Sequence, residues 1–301
     1  MRLACGDNAF PMLRHELAIQ LIAGMGFEGF DLALSSNSTH IRPDMVMADI
    51  AGWAGRLEER VRGRGLEFAD IVCLTATDFR TMAVNSPDAS ERKRGEAYFR
   101  GILEFARVVG SPGLTMIPGV DWPEQEEHEV SLERAARELE RRAQEAREQG
   151  VRFSIEPHIG SVCQAPKDVL ALCEMAPSLE LTLDYTHFVI QGYAPTDIDP
   201  LVRHARHVHT RGATRERLQA SLKHNVIDYE HVVDVLKDDD YDGFVAIEYL
   251  WIEWAHLNEI DVVSETVLMR DRLRARLANE PWHYPDSGGV RESPIDTDDG
   301  V

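Results

Sequence analysis

The chain comprises 301 residues, of which 44% are hydrophobic and 28% charged, and its formal net charge is −20. This length suits one barrel or two modest domains with a large core, and no apolar run approaches the length of a membrane span. The negative charge argues against a nucleic-acid backbone as a partner, because that affinity needs clustered Lys and Arg.

Short apolar runs alternate with segments of helical periodicity along the chain. The apolar runs predict eight strands, at residues 3–6, 27–34, 66–74, 113–117, 151–156, 181–184, 205–210 and 244–248. The segments between them predict helices at residues 15–25, 43–62, 88–109, 131–149, 165–175, 197–204, 228–236 and 258–277. Residues 281–301 are polar, which predicts a mobile tail after a barrel domain at 1–280.

Eight strand–helix units in succession predict a single-domain (β/α)8 TIM barrel, because regular alternation makes the strands parallel and this number closes the sheet. A doubly wound sheet is the alternative, but no G-x-G-x-x-G motif follows the first strand. The four cysteines form no C-x-x-C pair and the first residues lack a hydrophobic signal region. Both features predict reduced thiols in a cytoplasmic protein.

Polar residues close the last four predicted strands. Glu156, Asp184, His209 and Glu248 each end an apolar run, roughly one strand–helix unit apart. Consecutive strands are neighbours in a barrel, so these side chains would converge at its C-terminal mouth. Three carboxylates there would repel each other, and no Lys lies at these strand ends. We therefore predict one bound divalent metal, with Mn²⁺ as first choice and Mg²⁺, Co²⁺ or Zn²⁺ as alternatives.

A structural reading of the same residues competes with the metal site. Acids at strand ends often cap the helices that follow, and His209 would then be a structural histidine. The barrel would in that case be non-catalytic.

The eight-unit plan with strand-end Glu156, Asp184, His209 and Glu248, together with His187, resembles the xylose isomerase-like TIM barrels, the sugar phosphate isomerase/epimerase superfamily. Within it the ligand spacing is most similar to enzymes of the D-tagatose 3-epimerase type. The resemblance implies that those four residues hold the metal. It also implies that Glu156 and Glu248 act as base and acid on a sugar or keto-sugar, moving a proton beside a metal-bound carbonyl.

The resemblance also implies substrate contacts. His187 would bind a substrate oxygen, and Arg215 matches the position of a substrate-binding Arg. His158 is a further mouth candidate, as a second base or as a supporting histidine. Trp251, within the aromatic segment 249–254, would stack on a sugar or lie at a subunit interface. At Val162 the chain departs from the epimerases, which carry a further Glu there.

Two other activities are known on this scaffold. The rival to an isomerase or epimerase is a lyase or dehydratase, such as the catalytic subunit of a C-glycoside deglycosidase, which acts on 3-oxo-glycosides with a small partner subunit. An endonuclease-IV-like repair enzyme would need more histidines at the first strand ends and a basic face, which this chain lacks. The superfamily implies a homo-oligomer that binds a small sugar or glycoside and no membrane.

Overall fold

The protein was analysed as a computed structural model, which describes residues 1–76 and 78–285. Each of its eight strands pairs in parallel with the next, and β8 pairs with β1. The strands are β1 (Arg2–Gly6), β2 (Gly29–Leu34), β3 (Glu67–Cys73), β4 (Gly113–Met116), β5 (Arg152–Ile155), β6 (Glu180–Asp184), β7 (Ala205–Thr210) and β8 (Phe244–Ile247). The predicted (β/α)8 barrel in one domain is confirmed.

Ten α-helices surround the barrel in the part of the chain described. They are α1 (His15–Gly24), α2 (Pro43–Ala48), α3 (Ile50–Val61), α4 (Ala89–Val109), α5 (His128–Glu148), α6 (Pro166–Met175), α7 (Thr186–Val189), α8 (Pro195–Ile198), α9 (Tyr229–Asp238) and α10 (Val262–Leu277). Among the described residues, none of these helices combines the length and the apolar character needed to cross a membrane. Most of the predicted tail, residues 286–301, lies outside the described residues.

Three helix predictions differ from the structure. The single helix predicted at 43–62 is two helices, because Asp49 leaves the helical conformation and its side chain accepts a hydrogen bond from the Gly52 amide to begin α3. The helix predicted at 197–204 is the short α8 followed by a 3₁₀ turn that contains Pro200. The last helix begins later than predicted, at Val262, where Asp261 caps it.

The core lies between the barrel and the helices, and the strands bury their apolar residues as predicted. All six residues of β2 are buried, which is the pattern of a parallel strand covered on both faces. The four cysteines are also buried and free, as predicted for reduced thiols.

A buried ion pair lies inside the barrel. Arg206 donates from Nη2 to Asp70 Oδ2 at 2.8 Å and to the hydroxyls of Ser154 at 2.7 Å and Thr115 at 3.0 Å. A Cβ atom at Gly113 would overlap the Arg206 guanidinium, so the glycine makes room for it. The guanidinium is thus fixed from several strands at once.

A bulge in β7 brings two neighbouring residues to the interior. Leu181 pairs with Ala205 but Thr182 pairs with His207, so β7 carries Arg206 as an extra residue. Side chains of successive strand residues normally point to opposite faces. The bulge interrupts this alternation, and the side chains of the neighbours Arg206 and His207 both contact buried acids of other strands.

Candidate functional site

The four predicted strand-end residues lie together at the C-terminal mouth. Glu156 follows β5 directly, Asp184 ends β6, His209 is the penultimate residue of β7 and Glu248 follows β8. All four are buried, the most exposed being Glu248 at 8%. The parallel strands therefore bring them to one place, as the sequence predicts.

Three of the four side chains form a tight cluster. His209 Nδ1 lies 2.8 Å from Glu156 Oε1 and 3.4 Å from Glu248 Oε2. One ligand atom from each of the three residues lies within 4.8 Å of the others. Two carboxylate oxygens and an imidazole nitrogen are a donor set that suits a divalent cation, so the residues present fit a metal.

Asp184, the fourth expected ligand, is engaged elsewhere. Its Oδ1 accepts a hydrogen bond from the Thr186 amide at 2.8 Å, and its Oδ2 accepts one from Arg211 Nη2 at 2.8 Å. The structure thus places Asp184 beside the cluster but bound to a cation of the protein itself.

Arg211 is a site residue that the sequence reasoning missed. It is 1% exposed, and its Nη1 donates to Glu248 Oε2 at 3.0 Å while its Nη2 contacts Asp184. Its guanidinium, two residues after His209, supplies the positive charge that no Lys supplies at these strand ends. The signal was present, since His207, His209 and Arg211 follow the two-residue period of one strand face.

The pKa values of the two glutamates are shifted in opposite directions. Burial raises the pKa of Glu248, the negative charges of Glu156 and Asp184 add to the rise, and the pKa stands at about 7 despite His209 and Arg211. Burial would also raise the pKa of Glu156, but the adjacent His209 holds it at about 2. Two carboxyl groups whose pKa values are pushed apart suit the roles of a base and an acid.

The other ring nitrogen of His209 contacts Asp31, an acid on β2. His209 Nε2 lies 3.3 Å from Asp31 Oδ2, and His207 Nε2 lies 2.9 Å from the same oxygen. Burial alone would raise the pKa of Asp31, but these two histidines lower it, so the acid is ionised. A carboxylate behind an imidazole fixes the ring orientation and leaves the other nitrogen, here Nδ1, for the mouth.

Two further histidines line the mouth next to Glu156. The rings of His158 and His187 lie 3.9 Å apart between centroids, and both can offer a nitrogen close to the Glu156 carboxylate. Burial lowers the pKa of both histidines. Neutral imidazoles at this place can donate and accept hydrogen bonds to substrate hydroxyls.

A cavity of about 200 Å³ opens above these residues. It is lined by the charged and imidazole groups, by the polar residues Asn8, Ser35, Asn37, Ser38 and Thr39, and by an apolar wall that consists of Phe79, Leu218, Leu250, Ile252, Trp254 and Leu257. Trp254 is 75% exposed and lines this wall, while the predicted Trp251 packs against the core. The structure does not bring Arg215 to the cavity, because its side chain is exposed and lines a separate groove with Tyr193.

Comparison with known proteins agrees with this architecture. The chain matches the family described as xylose isomerase-like TIM barrel over residues 19–270. No curated protein matches it.

Three solved structures with this fold each cover nearly the whole chain. The D-psicose 3-epimerase of Clostridium cellulolyticum H10, solved with D-tagatose, has a TM-score of 0.74 at 15% identity and covers 92% of this chain and 99% of its own. The 3-keto-D-glucoside 4-epimerase of E. coli has a TM-score of 0.69 at 16% identity and covers 91% and 99%. A probable 3-DHS dehydratase of Bacillus anthracis has a TM-score of 0.68 at 13% identity and covers 90% and 100%. At these identities the likeness shows the shared fold.

Proposed function

This chain belongs to the xylose isomerase-like TIM barrel family, and from that premise we propose that it is a divalent-metal-dependent isomerase or epimerase of a sugar or keto-sugar. The observation that carries the proposal is the buried cluster of Glu156, His209 and Glu248 under an open cavity. Its donor set suits a divalent ion, and its two carboxyl groups have separated pKa values.

Glu156, His209 and Glu248 would hold the ion, with Mn²⁺ as first choice and Mg²⁺, Co²⁺ or Zn²⁺ as alternatives. When bound, such an ion supplies a Lewis acid that polarises a substrate carbonyl. Glu156 is ionised and would take the proton from the carbon next to that carbonyl. Glu248, whose Oε2 lies 3.4 Å from His209 Nδ1, would return a proton to the substrate. His158 and His187 would hold substrate hydroxyls so that this carbon faces the glutamates.

The test combines metal content with proton exchange. We expect about one divalent ion per chain in protein purified without chelator, and exchange of a substrate C–H for deuterium in D₂O when keto-sugars are screened by NMR. The single variants Glu156→Gln and Glu248→Gln should lose exchange, since each removes one carboxylate. Glu253→Gln is the matched control, because Glu253 is an exposed acid in the loop after β8.

A wild-type protein that takes up no ion when Mn²⁺, Mg²⁺, Co²⁺ and Zn²⁺ are supplied would refute the metal-dependent mechanism. A metal-loaded protein that exchanges no proton with any keto-sugar would refute the isomerase and epimerase assignment while leaving the metal site in place.

A lyase acting on 3-oxo-glycosides is the second candidate, and the apolar wall of the cavity favours it. A free ketose presents hydroxyls on every side, whereas Phe79, Leu250 and Trp254 form a surface for an apolar group attached to the sugar. The same removal of a proton next to a carbonyl would then lead to loss of that group. Release of an aromatic aglycone, in the presence or absence of a small partner subunit, would favour this candidate over epimerisation.

The cytoplasmic location and the homo-oligomeric state stay predictions. Light scattering on the purified chain, and co-purification of a small subunit from its source, would test the two kinds of assembly.

A further inference from the structure

Arg211 is a permanent positive charge placed inside the candidate metal centre. Its guanidinium bridges two acids, with Nη2 at 2.8 Å from Asp184 Oδ2 and Nη1 at 3.0 Å from Glu248 Oε2. It also donates to Thr186 Oγ1 at 3.3 Å. A guanidinium stays protonated at every physiological pH, so it supplies a counter-charge whether or not an ion is present.

The backbone around Arg211 is held by hydrogen bonds to two buried tyrosines. The Tyr229 hydroxyl accepts a hydrogen bond from the Arg211 amide at 3.1 Å and donates one to the Arg211 carbonyl at 2.5 Å. The next amide, of Gly212, donates to the Tyr249 hydroxyl at 2.9 Å. The strand end from which the Arg211 side chain reaches Asp184 is therefore fixed by two buried tyrosines.

We propose that Arg211 withdraws Asp184 from the metal set, so that the protein side chains hold the ion through three ligands, Glu156, His209 and Glu248. Asp184 instead anchors the guanidinium. Arg211 is thus a positioning residue that sets the affinity of the site and the number of protein ligands. This inference rests on the proposed metal-dependent function and concerns the same site.

Both oxygens of Asp184 already accept hydrogen bonds, which supports this division of roles. One accepts from the Thr186 amide and the other from Arg211, whereas His209 Nδ1 lies within 3.4 Å of both glutamates. The guanidinium also donates a hydrogen bond to Glu248 Oε2, the oxygen that lies 3.4 Å from His209 Nδ1. Removing the guanidinium should therefore free Asp184 as a fourth ligand and leave Glu248 wholly to the ion.

The test measures Mn²⁺ affinity from the electron paramagnetic resonance signal of the free aquo ion, without any assay of turnover. Arg211→Met keeps much of the side-chain length and removes the charge, and we expect it to bind Mn²⁺ about 10- to 100-fold more tightly than wild type, because a positive charge is lost and a carboxylate ligand is gained. Arg217→Met is the matched control, because it removes an exposed positive charge from the loop that follows Arg211. It should leave the affinity unchanged.

Asp184→Asn separates a freed ligand from a simple loss of positive charge. In the Arg211→Met background this change should abolish the gain in affinity, since the gain depends on Asp184 as a ligand. The d–d absorption of bound Co²⁺ should shift to that of a higher coordination number in Arg211→Met alone. A structural defect would weaken binding and would not produce this pattern.

Equal or weaker Mn²⁺ binding by folded Arg211→Met would overturn the inference, and so would a gain that persists without Asp184. If Arg211→Met fails to fold by circular dichroism, Arg211→Gln replaces it and the same two outcomes apply. A wild type that binds no metal overturns the proposed function by itself. That result also removes the inference, because no ion is then held through Glu156, His209 and Glu248, whereas a failure of the inference alone leaves metal binding by the wild type in place.

Discussion

The buried pair of Asp70 and Arg206 inside the barrel should be among the costliest places to remove one charge. Asp70→Asn keeps the shape of the side chain but leaves the Arg206 guanidinium, 5% exposed, without its carboxylate. Breaking a buried pair by removing one partner costs about 3–5 kcal/mol of unfolding free energy. The remaining hydroxyl contacts from Ser154 and Thr115 cannot supply the missing negative charge.

Thermal unfolding followed by circular dichroism measures this cost. At about 2 °C per kcal/mol for a chain of this size, Asp70→Asn should lower Tm by roughly 6–10 °C. Glu180→Gln is the matched control, since Glu180 pairs with Arg152 at 3.0 Å in an exposed position worth about 0–1 kcal/mol. The double variant Asp70→Leu/Arg206→Met should recover part of the loss, because it removes both buried charges. A Tm for Asp70→Asn no lower than that of Glu180→Gln would refute the reasoning.

Three other predictions follow from packing and burial. Gly113→Ala should cost about 1–3 kcal/mol in thermal unfolding, because its Cβ overlaps the Arg206 guanidinium, and an unchanged Tm would contradict this fit. Trp254→Ala should raise KM about fivefold for a 3-oxo-glycoside with an aromatic aglycone, through the loss of about 1 kcal/mol of stacking, and an equal rise for a free ketose would argue against the apolar wall as a binding surface. Burial raises the pKa of all four thiols, to about 12 at Cys73 and Cys173, so few thiolates exist at pH 8. The native protein should therefore release almost no colour with Ellman's reagent and the unfolded protein four equivalents; reaction of the native protein would contradict the burial.

The sequence was sufficient for the barrel because its signal is local and repeated eight times. It also predicted that Glu156, Asp184, His209 and Glu248 lie close together, since the C-terminal ends of neighbouring parallel strands lie at the same mouth of the barrel. It could not show that Asp184 is bound by Arg211, because that contact depends on side-chain direction at a strand end.

The loops were harder to predict for a related reason. Arg215 and Trp251 follow strands just as the metal candidates do, but their loops turn them away from the cavity. Trp254 lines the cavity only because of the local path of residues 250–257. Position relative to a strand end predicts placement for the first one or two residues, and loop conformation decides the rest.

The bulged strand β7 has a consequence for how the chain can be divided. Two of its side chains pair with acids that come much earlier in the chain, since His207 and Asp31 are 176 residues apart and Arg206 and Asp70 are 136 apart. A fragment ending after β4 would bury Asp31 and Asp70 with no counter-ion, at a cost of several kcal/mol. We therefore expect that the first half of this barrel does not fold as an independent unit. During synthesis, the barrel should close only after β7 has left the ribosome.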